Sequence, residues 1–266
     1  MLRLALRVAR ADAELVLAEL LELAPSGVEE TEIDSETIEY AVYGPPGELP
    51  ALPDLRAAAG GALVDICTRE VPDDWSERWR DFHRPLVLGD RLTVRPPWEP
   101  AGTTALDVVI DPGQAFGTGA HATTRLCLEM LLQGAPGSLA DIGCGSGVLA
   151  IVAAQLGFAP VLALDYDPLA VAATGENAAR NGVTLQARAL DLRTDQVPVC
   201  DVWVANVLAG PLRAWAATQR DVADELILSG LLRDEASDVA RAFAQHGLRE
   251  VDRRERGDWA AVRLRR

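Results

Sequence analysis

Three groups of residues have types and spacings suited to chemistry. "DIGCGSG" sets glycines at positions 143, 145 and 147. Glycines there allow a tight turn and let a ligand come against bare backbone. Asp165 closes the next apolar run, "VLALD", about twenty residues further on. An acidic residue at that place accepts hydrogen bonds from both hydroxyls of a ribose. Asn206 closes a third run, "DVWVAN", and strand C-termini line the ligand crevice of parallel sheets. A second glycine-rich segment, "AFGTGAHATT" from Ala115 to Thr124, precedes all of these. Two such segments either form separate turns or hold one ligand from two sides.

Each group also has an ordinary explanation. The glycines suit a plain strand-to-helix turn, and an isolated Asn206 suits a turn that satisfies nearby backbone. His121 is a candidate base or a hydrogen-bonded structural residue. Cys144 lies among small residues with no base nearby in sequence, so it reads as packing rather than as a nucleophile. The dinucleotide fingerprint wants glycine or alanine at its sixth position, where this chain has Val148. That residue fits a nicotinamide or flavin site poorly. The combination points instead to S-adenosylmethionine, which has a ribose and an amino-acid carboxylate but no phosphate. A nicotinamide-dependent oxidoreductase and an inactive cofactor-binding module are the alternatives of another class.

The bulk composition narrows the setting. Of 266 residues, 49% are hydrophobic, enough for a substantial core. No apolar run approaches the roughly 18 residues of a membrane span. The start, "MLRLALRVARADAE", carries Arg3, Arg7 and Arg10 and does not read as a signal peptide. Cys67, Cys127, Cys144 and Cys200 form no C-x-x-C pair, so neither a zinc site nor a disulfide framework is expected, and the cytoplasm is the expected location. A net charge of -15 argues against direct nucleic-acid binding and suits either a basic partner or simple solubility. All 25 basic residues are arginine, which excludes a catalytic lysine.

Periodicity gives the strands and helices around these groups. "LRLALRV", a weak strand near Val28 to Ile33, "TIEYAVYG" and "ALVDICTREV" read as strands. Between them lie a helix over "ADAELVLAELLELA", with Val16, Leu20 and Leu23 at helical spacing and Pro25 and Gly27 as its stop, and a short helix over "LPDLRAAAGG". The order β-α-β-β-α-β predicts a ferredoxin-like α+β domain over residues 1–71. Residues 72–84, rich in charge and tryptophan, predict a linker helix with Trp75, Trp79 and Phe82 on one face. From Leu139 on, strands and helices alternate, which predicts a mostly parallel sheet covered on both faces. Asp167-Pro168 starts one helix and Asn181-Gly182 ends it. The closing residues predict a hairpin that adds an antiparallel strand.

Five segments, "VIDPGQAFGTGAHATTRLCLEML", "DIGCGSGVLAI", "ALDYDPLAV", "ENAARNGV" and "VANVLAGPL", together resemble the methyltransferase family that acts on ribosomal protein L11. The resemblance runs from about Trp75 to the C-terminus. It implies a Rossmann-like, seven-stranded methyltransferase domain over residues 85–266, behind a small N-terminal domain that recognises the substrate. It implies S-adenosylmethionine contacts at Thr124, Gly143, Gly145, Asp165 and Asn206, with Phe116 and Gly117 forming a wall over the methionine end. Asn206 is the expected catalytic residue, and no metal is expected. The implied reaction is methylation of lysine ε-amines and the N-terminal amine of ribosomal protein L11, by a monomer. A methyltransferase of the same class acting on another protein, on RNA or on a small molecule is the nearest alternative.

Overall fold

The computed structural model describes residues 2–13, 16–17, 20, 28–44, 49–50, 52–70, 84–111 and 121–266. The chain divides into two compact units, Met1–Phe82 and His83–Arg266.

The first unit contains β1 (Leu2–Ala9), β2 (Glu29–Glu32), β3 (Thr37–Gly44), α1 (Leu52–Ala59) and β4 (Leu63–Glu70). Its strands pair antiparallel in the order β2-β3-β1-β4. Side chains alternate across the sheet. Leu4, Leu6 and Val8 of β1 and Ile38 and Tyr40 of β3 share one core with Val16, Leu20 and Leu55. Arg3 and Arg7 alternate with them and bind Glu39 at 2.6 and 2.8 Å. Of the helix expected over 11–24, Val16 and Leu20 are helical and buried. Leu23, Pro25 and Gly27 lie outside the described residues, as do residues 72–83 of the expected linker helix.

The second unit begins with a three-stranded sheet that periodicity does not announce: β5 (Leu86–Leu88), β6 (Leu92–Arg95) and β7 (Leu106–Val109). These strands are too short for alternation to show. β5 and β6 are antiparallel, whereas β6 and β7 are parallel. Arg95 and Asp107 tie β6 to β7 at 2.8 Å.

Then follow α2 (Ala122–Leu131), β8 (Leu139–Ile142), α3 (Val148–Gln155), β9 (Val161–Asp165), α4 (Pro168–Arg180), β10 (Gln186–Ala189) and β11 (Val202–Asn206). The chain ends with α5 (Ala209–Thr218), β12 (Glu225–Leu232), α6 (Ala236–Ala244), β13 (Arg249–Arg256) and β14 (Trp259–Arg265). The strands from β8 onward make a seven-stranded mixed sheet in the order β10-β9-β8-β11-β12-β14-β13. β8 to β12 run parallel, and β14 enters antiparallel beside β12. Every residue of β8 and β9 is buried, as expected for strands covered on both faces. One core packs α2 and α3 against the sheet, and the other centres on Trp203, Trp215 and Phe243.

The strand order turns back on itself at β8, whose neighbours are β9 and β11. A crevice forms outside the C-terminal ends of strands at such a reversal. The glycine loop, Asp165 and Asn206 follow or end these three strands, so topology alone brings them to the C-terminal end of the parallel strands.

Candidate active site

Gly143, Gly145 and Gly147 all have positive φ, at 71°, 53° and 82°. Side chains rarely adopt that backbone conformation. Space forbids them at two of the positions as well. A Cβ on Gly143 would stand 2.8 Å from Val207 Cγ2, and one on Gly147 would stand 2.8 Å from Thr174 Cγ2. Gly147 is also the N-cap of α3. Cys144 packs its sulfur 3.3 Å from the Thr174 hydroxyl, and burial pushes its thiol pKa up. A thiol kept neutral is a poor nucleophile, in line with a packing role.

Asp165 is buried and fastens the loop to β9. Its Oδ2 accepts the Gly145 N–H at 2.9 Å, and its Oδ1 accepts the Asp167 N–H at 3.1 Å. A carboxylate has about four lone-pair sites, so both oxygens keep accepting capacity. Asp167 caps α4 by accepting the Leu169 N–H, with Pro168 in the first turn.

Asn206 is half-buried, and its Nδ2 donates to Thr124 Oγ1 at 3.2 Å. Thr124 lies in the first turn of α2 and is buried. The two groups adjoin because Val207, which follows Asn206, touches the Gly143 position. His121 is the N-cap of α2: its Nδ1 accepts the Thr123 N–H at 3.4 Å and lies 2.8 Å from Thr123 Oγ1. Its ring meets Trp259 edge-on at 5.0 Å, and burial lowers its pKa. These contacts fit the structural reading of His121. Phe116 and Gly117 lie outside the described residues.

Three residues beside this site escaped sequence reasoning. Asp141 is fully buried directly before the loop; its Oδ2 accepts the Ala150 N–H at 3.0 Å, while its Oδ1 has no hydrogen-bond partner among the described residues. Burial, opposed by that bond and reinforced by the charge of Asp165, pushes its pKa up to about 7. A carboxylate inside the apolar run "LADI" was the available signal. Asn177 of α4 joins the end of β7 to the loop: it bonds both the N–H and the carbonyl of Asp111 and donates to the Ser146 carbonyl at 3.0 Å. Gly230 of β12 packs against the backbone of Val207.

Residues 59–266 match the family described as ribosomal protein L11 methyltransferase (PrmA). The chain belongs to that family. A relative from Geobacter sulfurreducens with that name is 40% identical over 220 residues, covering 79% of this chain and 73% of its own. Another, from Shewanella piezotolerans, is 45% identical over 180 residues, 65% of this chain. That match spans 61% of the relative's length. A crystal structure of ribosomal protein L11 methylase from Lactobacillus delbrueckii subsp. bulgaricus superposes with a TM-score of 0.58 at 29% identity. It covers 68% of this chain and 97% of the solved one. The fold is thus an α/β methyltransferase-like fold with a mixed sheet. The family match contains the glycine loop, Asp165, Thr124 and Asn206, and leaves out β1 to β3.

Proposed function

We propose that the chain transfers methyl groups from S-adenosylmethionine to amino groups of ribosomal protein L11, at lysine ε-amines and the N-terminal α-amine. The observation that carries this reading is the meeting, at the reversal of strand order, of a glycine loop tied to Asp165 with the Asn206–Thr124 pair. The site residues suit the cofactor. Three positive-φ glycines leave the loop backbone bare, and Asp165 retains lone pairs for ribose hydroxyls. Phe116 and Gly117 are assigned to the wall over the methionine end on the family resemblance.

When bound, S-adenosylmethionine supplies an already activated sulfonium methyl. The protein's task is therefore alignment of reactants, worth several kcal/mol when reacting atoms are held roughly 3–3.5 Å apart. With Nδ2 donating to Thr124, the Asn206 Oδ1 is left to accept a hydrogen bond from the amine N–H and so aim the nitrogen lone pair. Exclusion of water favours the neutral, nucleophilic amine. No side chain forms a covalent bond in this scheme.

The antiparallel order β2-β3-β1-β4, with α1 before β4, supports a ferredoxin-like N-terminal domain, and substrate recognition is assigned to it. The proposed division is residues 1–71, a linker over 72–84 and a catalytic domain over 85–266. The acidic balance favours a basic protein over RNA as the substrate. Among the described residues no helix is long and apolar enough to cross a membrane, and a monomer in the cytoplasm is the setting we assign. The test is incubation with methyl-labelled S-adenosylmethionine, purified ribosomal proteins and ribosomal RNA. Label on L11 is expected; label only on RNA or on another protein overturns the substrate assignment.

A further inference from the structure

We infer that Gly230 is a positioning residue for Asn206, acting through the backbone of Val207; this rests on the function proposed above. β12 and β14 pair regularly up to Leu228, which faces Val262, and again from Leu231, which faces Ala260. Ser229 and Gly230 together therefore oppose Ala261, a β-bulge. Bulges bend a strand and re-aim its neighbours, and they are over-represented beside active sites. The other edge of this bulge is β11, where Ser229 stands in register with Asn206. The Ser229 carbonyl accepts the Val207 N–H at 3.0 Å, while the Ser229 hydroxyl donates to the Ala260 carbonyl at 2.9 Å. The bulge thus grips the peptide next to Asn206 on one side and the hairpin strand on the other.

Gly230 makes this arrangement possible in two ways. Its φ of 83° suits glycine. A Cβ there would lie 2.6 Å from the Val207 carbonyl oxygen, 2.7 Å from its carbonyl carbon and 2.9 Å from its nitrogen. Those are backbone atoms, so relief requires moving the chain rather than turning a side chain. Val207 Cγ2 in turn fills the space where Gly143 lacks a Cβ. Val207 is held between a glycine of the cofactor loop and a glycine of the bulge. Any side chain at 230 pushes Val207, and with it Asn206, away from its alignment. Misplacement by about 1 Å is enough to cost on the order of 100-fold in rate.

The test compares Gly230→Ala, Asn206→Ala and the double variant in the full-length chain. Each is measured for L11 methylation at saturating S-adenosylmethionine, for cofactor affinity by titration, and for thermal unfolding. Gly230→Ala is expected to lower kcat by about tenfold or more, and to change cofactor affinity less than kcat. Added to Asn206→Ala, it should lower kcat by less than about twofold more, because the group it misplaces is already gone. Gly230→Asn serves as the second variant, since asparagine tolerates positive φ better while bringing the same Cβ against Val207. Full additivity, or normal kcat in a folded Gly230 variant, overturns the inference. So does failure of both variants to fold, because a positioning role must be separable from the fold. Normal kcat in Asn206→Ala instead removes the proposed role of Asn206, a distinguishable result.

Discussion

The Asn206 side-chain amide donates to the Thr124 hydroxyl at 3.2 Å across 82 residues of sequence. This bond links the C-terminal end of β11 to the first turn of α2, and so links the residue assigned to aim the amine to the end of the upstream glycine-rich segment. Thr124, the last residue of the upstream segment, and Gly143 of the loop therefore adjoin the consecutive residues Asn206 and Val207.

Asn206→Ala is expected to lower turnover at saturating S-adenosylmethionine far more than it weakens cofactor binding. Alignment is the main source of catalysis in this scheme, and Asn206 is its one positioning side chain. Asn206→Asp should be more damaging, because a carboxylate facing the amine favours its protonated, non-nucleophilic form. Thr124→Val keeps the side chain's shape and removes only the acceptor for Nδ2, so its turnover should fall less than that of Asn206→Ala. Steady-state kinetics with L11, beside calorimetric titration of the cofactor, separates the two effects. An unchanged kcat beside weakened cofactor affinity in Asn206→Ala would show that the asparagine only binds.

Asp165→Ala should weaken cofactor binding by about 1.5–3 kcal/mol, the usual worth of a hydrogen bond to a charged group. That is roughly a tenfold to 150-fold rise in dissociation constant. The carboxylate also holds the Gly145 and Asp167 N–H groups. Asp165→Asn keeps one acceptor oxygen and should recover part of the affinity. An unchanged dissociation constant in Asp165→Ala would falsify its ribose role.

How much of this was legible in the sequence depends on whether the cause was local. β9 and α4 declared themselves through the apolar run ending at Asp165, the Asp167-Pro168 start and Gly182, whose φ is 63°. The closing hairpin turns at Gly257, with φ 57°. α5 carries Gly210 and Pro211 in its first turn, where proline costs a helix little. α2 was hidden behind the glycine-rich segment that leads into it. Gly230 could not be read at all: its constraint comes from Val207 and from pairing with β14, neither of which is near in sequence. The strand-end positions of Asp165 and Asn206 were readable from the apolar runs they close, whereas the pairing of Asn206 with Thr124 required the fold.

Removing the N-terminal unit should separate binding from substrate recognition. A chain beginning near Pro85 retains the core that includes Leu86, Val94, Leu126 and Ile151 and all the described site residues. It is expected to bind S-adenosylmethionine within severalfold of the full chain and to lose most methylation of L11. Compact units with their own cores generally fold alone. Because Trp75, Trp79 and Phe82 are removed with the linker, several start points should be compared. Full methylation efficiency by the shortened chain would transfer recognition to the catalytic unit.

Asp141 should make stability fall with rising pH across a defined window. Its carboxyl is fully buried, has one N–H partner among the described residues, and has a pKa pushed from 3.8 to about 7. Between those values the folded protein keeps a proton that the unfolded chain has released. The unfolded state then binds fewer protons, so raising the pH lowers the unfolding free energy until about pH 7, where the loss levels off. At about 1.36 kcal/mol per pH unit, the full loss is on the order of 4 kcal/mol. In Asp141→Asn the side-chain amide does not titrate and its oxygen can still accept the Ala150 N–H, so this variant should lose this component of the decline. Below about pH 4 the variant should be no more stable than the native chain, since Asp141 is then largely neutral in both states. Between about pH 4 and pH 7 the difference should move progressively in the variant's favour, and above about pH 7 it should level off. Chemical denaturation at a series of pH values, without cofactor, measures the difference directly. If it is flat with pH, or moves the other way, Asp141 is ionised in the folded protein throughout the range, and the carboxylate beneath the glycine loop is stabilised by something other than the single bond to Ala150.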